Sequence, residues 1–318
     1  MATVHSIPSV DLAEFRSGDP AKKAAFVKAL GKAYEEVGFV AVKNHGITDA
    51  LIAQLYDNVR AFFQLPSSTK SKYEIPELAG QRGYTSFGKE HAKGFDAPDL
   101  KEFFQFGQSV EDEDPVKDAY PNNVTVKEVP EFTPTLYRAF RGFEDSGAAL
   151  LQAIAIYLGL DEHFFDGKVH NGNSILRAIH YPPITQEPAS AIRAEQHEDI
   201  NLITLLVGAS ADGLQILDKQ GEWVPVTSLP DQIVVNVGDM LQRLTNNRLK
   251  STTHRVVNPP RELWNTSRFS IPFFLHPKSD MDLTCLPQCV DEAHPVEYPP
   301  ITAGEYLDER LREIGLKK

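Results

Sequence analysis

Cysteine is nearly absent from this 318-residue chain: Cys285 and Cys289 are the only two. Two thiols cannot build a disulfide framework, and such a chain suits a reducing compartment. They also make a poor zinc site, because no further Cys or His pair stands near them at ligand spacing. Long apolar runs are missing as well. The stretch from Ala148 to Leu160 is interrupted by Gln152 and is too short to span a bilayer. The opening Met-Ala-Thr-Val-His has neither the basic nor the apolar segment of a secretory leader, so a cytoplasmic protein is expected. Excess positive charge is lacking too. Thirty-two Lys and Arg stand against 44 Asp and Glu, a formal net charge of -12. That balance argues against nucleic-acid and anionic-membrane partners. No obligate protein partner is evident, and there is no internal repeat, low-complexity tract or convincing linker. One domain over 1–318 is therefore expected, with a helix-rich part (1–173), a β core (174–290) and a C-terminal segment (291–318).

Periodicity fills in the elements. Phe26, Leu30, Ala33 and Val37 recur at helical spacing. Gly38 stops that helix, and Phe39 to Val42 reads as a short buried strand. Asn44-His45-Gly46 reads as a turn. Thr48 is a candidate N-cap for a helix carrying Leu51, Leu55, Val59 and Phe62, ended by Pro66. Residues 66–134 read as irregular with short strands, among them Lys101 to Phe106, and with a solvated acidic run from Glu111 to Asp114. A long helix over about 134–158 follows, its apolar side built from Leu136, Phe140, Phe143, Leu150, Leu151 and Ile154. From residue 174 short apolar runs alternate with turns: 174–179, 202–207, 214–217, 223–226, 232–237, 254–257 and 269–275. Many short strands of this kind imply a β-sandwich or barrel of the jelly-roll type. A helix from Ala303 to Ile314 closes the chain. The fold class expected is α+β with a mainly β core, a jelly roll with flanking helices.

Three groups of residues carry chemistry. In an extended backbone His197 and Asp199 project to one face, while Glu198 points away. His254 stands 57 residues later at the start of a strand. Two histidines and one carboxylate, with other coordination positions open, are the ligand set of non-heme iron(II) oxygenases. Arg268 and Ser270 again share one face of a strand. A guanidinium and a hydroxyl inside an apolar barrel need a partner, and a dicarboxylate supplies one through forked hydrogen bonds. A structural Asp or Glu would serve the arginine equally well. Tyr181, before Pro182-Pro183, could add a phenol donor or could simply pack.

The order of these segments resembles a known family. Tyr181-Pro182-Pro183, His197-Glu198-Asp199, Gly213-Leu214-Gln215, Gly221-Glu222-Trp223, Asn236-Val237-Gly238-Asp239, Leu244-Thr245-Asn246-Asn247, His254-Arg255-Val256 and Arg268-Phe269-Ser270 follow one another. The chain is similar to the isopenicillin N synthase-like group of iron(II)/2-oxoglutarate-dependent dioxygenases. Ile7 to Leu12 and Gly38 to Gly46 resemble that group's opening motifs. The resemblance implies a double-stranded β-helix core, and iron(II) on His197, Asp199 and His254. It also implies 2-oxoglutarate held by Arg268, Ser270 and Tyr181, with O2 as oxidant. The activity implied is hydroxylation or desaturation of a small organic substrate, coupled to oxidative decarboxylation of 2-oxoglutarate. Plant members usually carry Asn two residues before the matching Tyr, where this chain has Ile179. Substrate walls are expected over Gln81 to Phe87 and Phe103 to Phe106, with Arg82 and Tyr84 as polar anchors. Two alternatives stand beside this reading. One is a ring-closing iron oxidase that uses no 2-oxoglutarate, since His197 to Thr204 and Leu244 to Asn247 also resemble isopenicillin N synthase. The other is a non-catalytic small-molecule receptor. The histidines at 5, 45, 91, 163, 170, 180, 276 and 294 are expected not to bind metal.

Overall fold

In the computed structural model of the protein, residues 7–313 are described except 79, 91–97, 112, 113, 115, 189, 209–211, 228 and 230. His5, His91, Ile314 and the middle of the acidic run therefore lie outside the described residues. Among the described residues, twelve strands form two sheets. The larger contains β1 (Ser9–Asp11), β2 (Phe39–Lys43), β3 (Gly83–Thr85), β4 (Glu102–Gly107), β5 (Ile175–Tyr181), β7 (Ile203–Val207), β10 (Gln232–Val237) and β12 (Arg268–Leu275). Its spatial order is β1-β2-β10-β7-β12-β5-β4-β3. The smaller holds β6 (Ala194–His197), β8 (Leu214–Leu217), β9 (Trp223–Pro225) and β11 (His254–Val256), in the order β6-β11-β8-β9. Apart from the parallel β1–β2 pair, every ladder is antiparallel. This is the jelly roll expected. Four of its strands come from the part of the chain expected to be helix-rich, so the boundary placed at 173 runs through one sheet.

The four longest helices are α1 (Pro20–Glu36), α2 (Asp49–Phe63), α3 (Phe132–Tyr157) and α4 (Ala303–Glu313). Local signals mark where some of them begin and end. Thr48 caps α2, its hydroxyl accepting from the Leu51 amide at 3.2 Å. After α1, Gly38 takes φ +75°, where a Cβ would strike the Lys250 carbonyl. Only glycine lets the chain reverse there into β2.

Strand parity divides the large sheet into two faces. Phe269, Ile271, Phe273 and Leu275 of β12 face the helices. Phe273 meets Phe140 edge-on at 5.0 Å and stacks on Phe143 at 5.4 Å. Beyond, Phe62 of α2 stacks on Phe132 of α3 at 4.8 Å and meets Phe104 of β4 at 5.1 Å. Such aromatic pairs add about 0.5–1.5 kcal/mol each beyond their buried area. Arg268, Ser270, Pro272 and Phe274 have the opposite parity and face the small sheet. Cross-strand register continues that face: Arg268 is opposite Tyr181, Ser270 opposite Ile179, and Phe274 opposite both Ile175 and Thr204.

Close packing makes one small residue critical. Gly31 of α1 lies where a Cβ would enter the Tyr157 ring of α3. Alanine is worth about 1 kcal/mol over glycine in a helix, but overpacking costs typically about 1–3 kcal/mol. Gly31→Ala is expected to lower the urea unfolding midpoint. A midpoint equal to or above that of the parent would show that Tyr157 swings aside freely.

Candidate active site

A cavity of about 580 Å³ lies between the two sheets. His197 reaches it from the end of β6, and His254 from the start of β11. The two are direct cross-strand partners, with ring centroids 4.4 Å apart. Asp199 is not on the strand with His197, contrary to the extended geometry expected, because β6 ends at His197. Its position is set by the bend that follows, where the Asp199 carbonyl accepts from the Asp239 amide at 2.7 Å. Glu198 does not simply point away. It lines the cavity and accepts from the Thr253 hydroxyl at 2.8 Å.

Each of the three side chains has one polar end tied down. His197 Nδ1 is 2.7 Å from the Glu195 carbonyl, and His254 Nδ1 is 3.1 Å from the Thr252 carbonyl. A carbonyl only accepts, so both Nδ1 atoms carry the proton and both Nε2 lone pairs are open. Thr204 and Asn236 donate to Asp199 Oδ2 at 2.6 and 2.8 Å. That leaves Oδ1, which lies 3.8 Å from His254 Nε2 and 4.0 Å from His197 Nε2. One ligand atom from each residue falls within 4.8 Å of the other two, and no other group of three such residues does so among the described residues. The open lone pairs and the single free carboxylate oxygen fit one divalent ion with oxygen and nitrogen donors.

Electrostatics prepare the same state. Burial, then the neighbouring His254, pushes His197 down to about 4, so its ring stays neutral. Burial alone would raise Asp199, but His254, His197 and the hydrogen bonds from Asn236 and Thr204 outweigh it and hold the carboxylate ionised.

Tyr181, Arg268 and Ser270 come together as their register requires. All three are buried, and the guanidinium lies 5.0 Å from the Tyr181 ring centre. Ser270 and Tyr181 line the cavity that His197, Asp199 and His254 also line. A second buried guanidinium, Arg193, lies 5.9 Å from the same ring and donates to the Thr266 carbonyl at 3.2 Å. Burial and the nearby Arg268 lower it to about 10. No motif had marked Arg193.

The two residues expected as substrate anchors do not line this cavity. Tyr84 pairs with Phe104, so it shares the helix-facing side of the sheet. There its hydroxyl donates to Glu102, which also takes Lys70 at 2.7 Å and His180 Nδ1 at 2.7 Å. Arg82 is fully buried over Gly107, donates to the Gln81 carbonyl at 2.8 Å and is lowered by burial to about 10. Neither lines the cavity. The cavity instead carries an ion network that sequence reasoning missed: Asp99, Lys101, Glu90 and Arg177. Its members are far apart along the chain, and the pairing of β4 with β5 helps to gather them. Of the remaining described histidines, His180 is in the Glu102 network and His45 accepts from the Ile47 amide at 3.3 Å. His163 and His294 pair with Asp166 and Asp291. His276 reaches the cavity wall without a carboxylate partner among the described residues, and burial lowers it to about 4.

This geometry has close counterparts. Residues 7–128 match the family described as the N-terminal region of non-haem dioxygenase in morphine synthesis, and residues 172–277 match the 2OG-Fe(II) oxygenase superfamily. The 2-oxoglutarate-Fe(II) type oxidoreductase hxnY of Emericella nidulans is 31% identical over 326 residues, covering 98% of this chain and 92% of that protein. A 2OG-Fe(II) oxygenase family protein from Caulobacter crescentus superposes with a TM-score of 0.87 at 41% identity, covering 97% of this chain and 99% of that one. A full-length Neurospora crassa protein, solved in complex with alpha-KG and thymine, superposes with a TM-score of 0.84 at 30% identity, covering 96% of each chain. The chain belongs to the isopenicillin N synthase-like family of iron(II)/2-oxoglutarate-dependent dioxygenases. It is an oxidoreductase that uses iron(II), 2-oxoglutarate and O2 and acts on a small organic molecule. The relatives do not support the ring-closing oxidase that dispenses with 2-oxoglutarate. Among the described residues no helix is long and apolar enough to cross a membrane.

The two histidines lowered to about 4, His197 and His276, set a pH dependence for the metal-free protein. In the unfolded chain both take up protons as pH falls through about 6.5, whereas in the folded chain they stay neutral to about 4. The unfolded state therefore binds more protons across that window, and stability falls as pH drops through it. His276→Gln is expected to flatten the urea midpoint measured between about pH 7 and pH 4.5, the window between the unfolded and folded values. An unchanged slope would remove His276 from the account.

Proposed function

We propose that iron(II) is held by His197 Nε2, His254 Nε2 and Asp199 Oδ1, and that the distal carboxylate of 2-oxoglutarate rests on Arg268, Ser270 and Tyr181. The observation that carries this reading is the pair of imidazole lone pairs and the free carboxylate oxygen converging at a cavity that Ser270 and Tyr181 also line. Iron, when bound there with its co-substrate, supplies the oxidising power that turns a C–H bond of the substrate into C–OH or C=C.

The protein's part is positioning. Glu195 and Thr252 carbonyls hold the two histidines in the tautomer that presents Nε2. Thr204 and Asn236 hold Asp199 by Oδ2, so that only Oδ1 would be presented to the metal. Arg268 offers the forked donor that a carboxylate matches, and the Ser270 hydroxyl and Tyr181 phenol add donors of fixed direction. Ile179 stands opposite Ser270, where plant relatives usually carry Asn, so its share of the contact falls to the Arg268–Ser270–Tyr181 set. The apolar surfaces of Phe274, Pro272 and Leu206 keep water from the space around the metal. We further read the protein as cytoplasmic and acting without an obligate protein partner, nucleic acid or membrane.

Anaerobic addition of iron(II) and then 2-oxoglutarate is expected to give a weak visible metal-to-ligand charge-transfer band. Asp199→Ala should lose the iron and the band together; iron bound at native affinity in that variant would overturn the ligand assignment. Thr204→Val removes one hydrogen bond from Asp199 and should weaken iron binding roughly 10- to 100-fold, the usual cost of losing a contact behind a ligand. An unchanged affinity would show that Asn236 suffices.

A further inference from the structure

The ion network in the cavity is closed upon itself. Lys101 Nζ lies 2.7 Å from Asp99 Oδ2 and 2.7 Å from Glu90 Oε1. Arg177 Nη1 is 3.2 Å from both Glu90 oxygens, and Arg177 Nε donates to Gln105 Oε1 at 3.0 Å. Two cations and two anions leave no net charge. Burial alone would raise Glu90 and lower Lys101, but in each the opposite charges outweigh it, so Glu90 sits at about 2 and Lys101 is pushed up. Both groups are therefore locked in their ionised forms. Apart from Asp199, the other Asp, Glu, Lys or Arg residues lining the cavity, Glu198 and Arg310, are again one of each sign. Each is engaged, Glu198 by Thr253 and Arg310 by Asp239 at 3.7 Å.

What the network leaves open is specific. The Arg177 guanidinium is held 4.3 Å from the Phe103 ring centre and 5.4 Å from that of Phe274. Its Nη2 makes no hydrogen bond among the described residues. Gln81 and Asn173 also line the cavity, and their side-chain amides make none among the described residues either. The unused groups are one guanidinium N–H edge, whose charge Glu90 already balances, and two neutral amides that both donate and accept. Beside them lie Ile175, Leu206, Pro272 and Phe274. Phe274 and Ile175 are in the same cross-strand row as Thr204, whose hydroxyl holds Asp199.

We propose that this end of the cavity is the substrate compartment, and that it takes an uncharged molecule presenting a carbonyl and an N–H on one edge, an amide, lactam or imide with an apolar body. The carbonyl accepts from Arg177 Nη2, the edge is completed by Gln81 or Asn173, and the apolar body lies along Phe274 and Ile175 toward the metal. A carboxylate or ammonium group is disfavoured, because a buried charge needs an unspent counter-charge and this part of the wall has none to give. This rests on the iron and 2-oxoglutarate reading above.

The test uses the full chain loaded anaerobically with iron(II) and 2-oxoglutarate. Glutarimide, 2-piperidone, cyclopentanecarboxylate and cyclohexylamine are titrated by calorimetry and by perturbation of the charge-transfer band. The two uncharged probes are expected to bind more tightly than the two charged ones. Arg177→Gln should weaken glutarimide roughly 10- to 100-fold, as for a lost hydrogen bond to a charged donor, with 2-oxoglutarate affinity unchanged. Gln81→Ala gives the same reading, with a smaller loss, should Arg177→Gln not fold. Tighter binding of either charged probe, no binding of the uncharged ones, or glutarimide affinity unmoved in both variants overturns the proposal. A missing charge-transfer band before any probe is added overturns the iron and 2-oxoglutarate reading instead.

Discussion

The divided carboxylate of Asp199 is the constraint on which the rest of the site depends. Oδ2 is bound by Thr204 and Asn236, neighbours on β7 and β10 of the large sheet. Oδ1 faces two histidines carried by the small sheet. One side chain thus links the two layers of the jelly roll. A register slip by one residue in β7 or β10 would turn Thr204 or Asn236 to the helix side and leave the carboxylate free to rotate. The packing of Phe273 on Phe140 and Phe143 opposes such a slip from the other face, because β12 lies between β7 and β5. Core packing and site geometry are therefore two faces of the same strands.

Buried charge is handled in two ways on the two sides of this sheet. On the helix side, Glu102 gathers Lys70, Tyr84 and His180, and the cluster is closed. Removing one partner from such a cluster leaves an uncompensated charge and costs several kcal/mol, so it ties β4 to β5, to β3 and to the turn at Lys70 that follows α2. On the cavity side, Arg268 lies beside Tyr181 and Ser270, and the Glu90–Lys101–Asp99–Arg177 network lines the cavity that Tyr181 and Ser270 also line. The first set is the one proposed to hold 2-oxoglutarate. The second is charge-balanced and offers hydrogen bonds without net charge.

Periodicity reported elements well where burial is one-sided or complete. The strand at 232–237 and the helices carrying Phe62 and Phe140 fall where their patterns place them. The N-terminal edge strand was not legible. Ser9–Asp11 is three residues long, and its pairing with β2 is parallel and remote in sequence. The face that Tyr84 takes was not legible for a related reason. A strand of three residues carries too little pattern to say which face is which, and pairing with Phe104 turned it away from the cavity.

By itself the sequence determined the family and marked the candidate residues, because iron chemistry restricts which residue types can serve and the turns around them need particular residues. His197, Asp199 and His254 were legible as a candidate ligand set on those grounds, whereas Arg268, Ser270 and Tyr181 became candidates for the co-substrate only through the family resemblance. Only the tertiary structure decided which oxygen of Asp199 is free and which nitrogen of each histidine is open. It also decided which charges are already spent and which polar edges still face the cavity. Those properties depend on cross-strand neighbours and on burial, and both are set by register between segments that lie far apart along the chain.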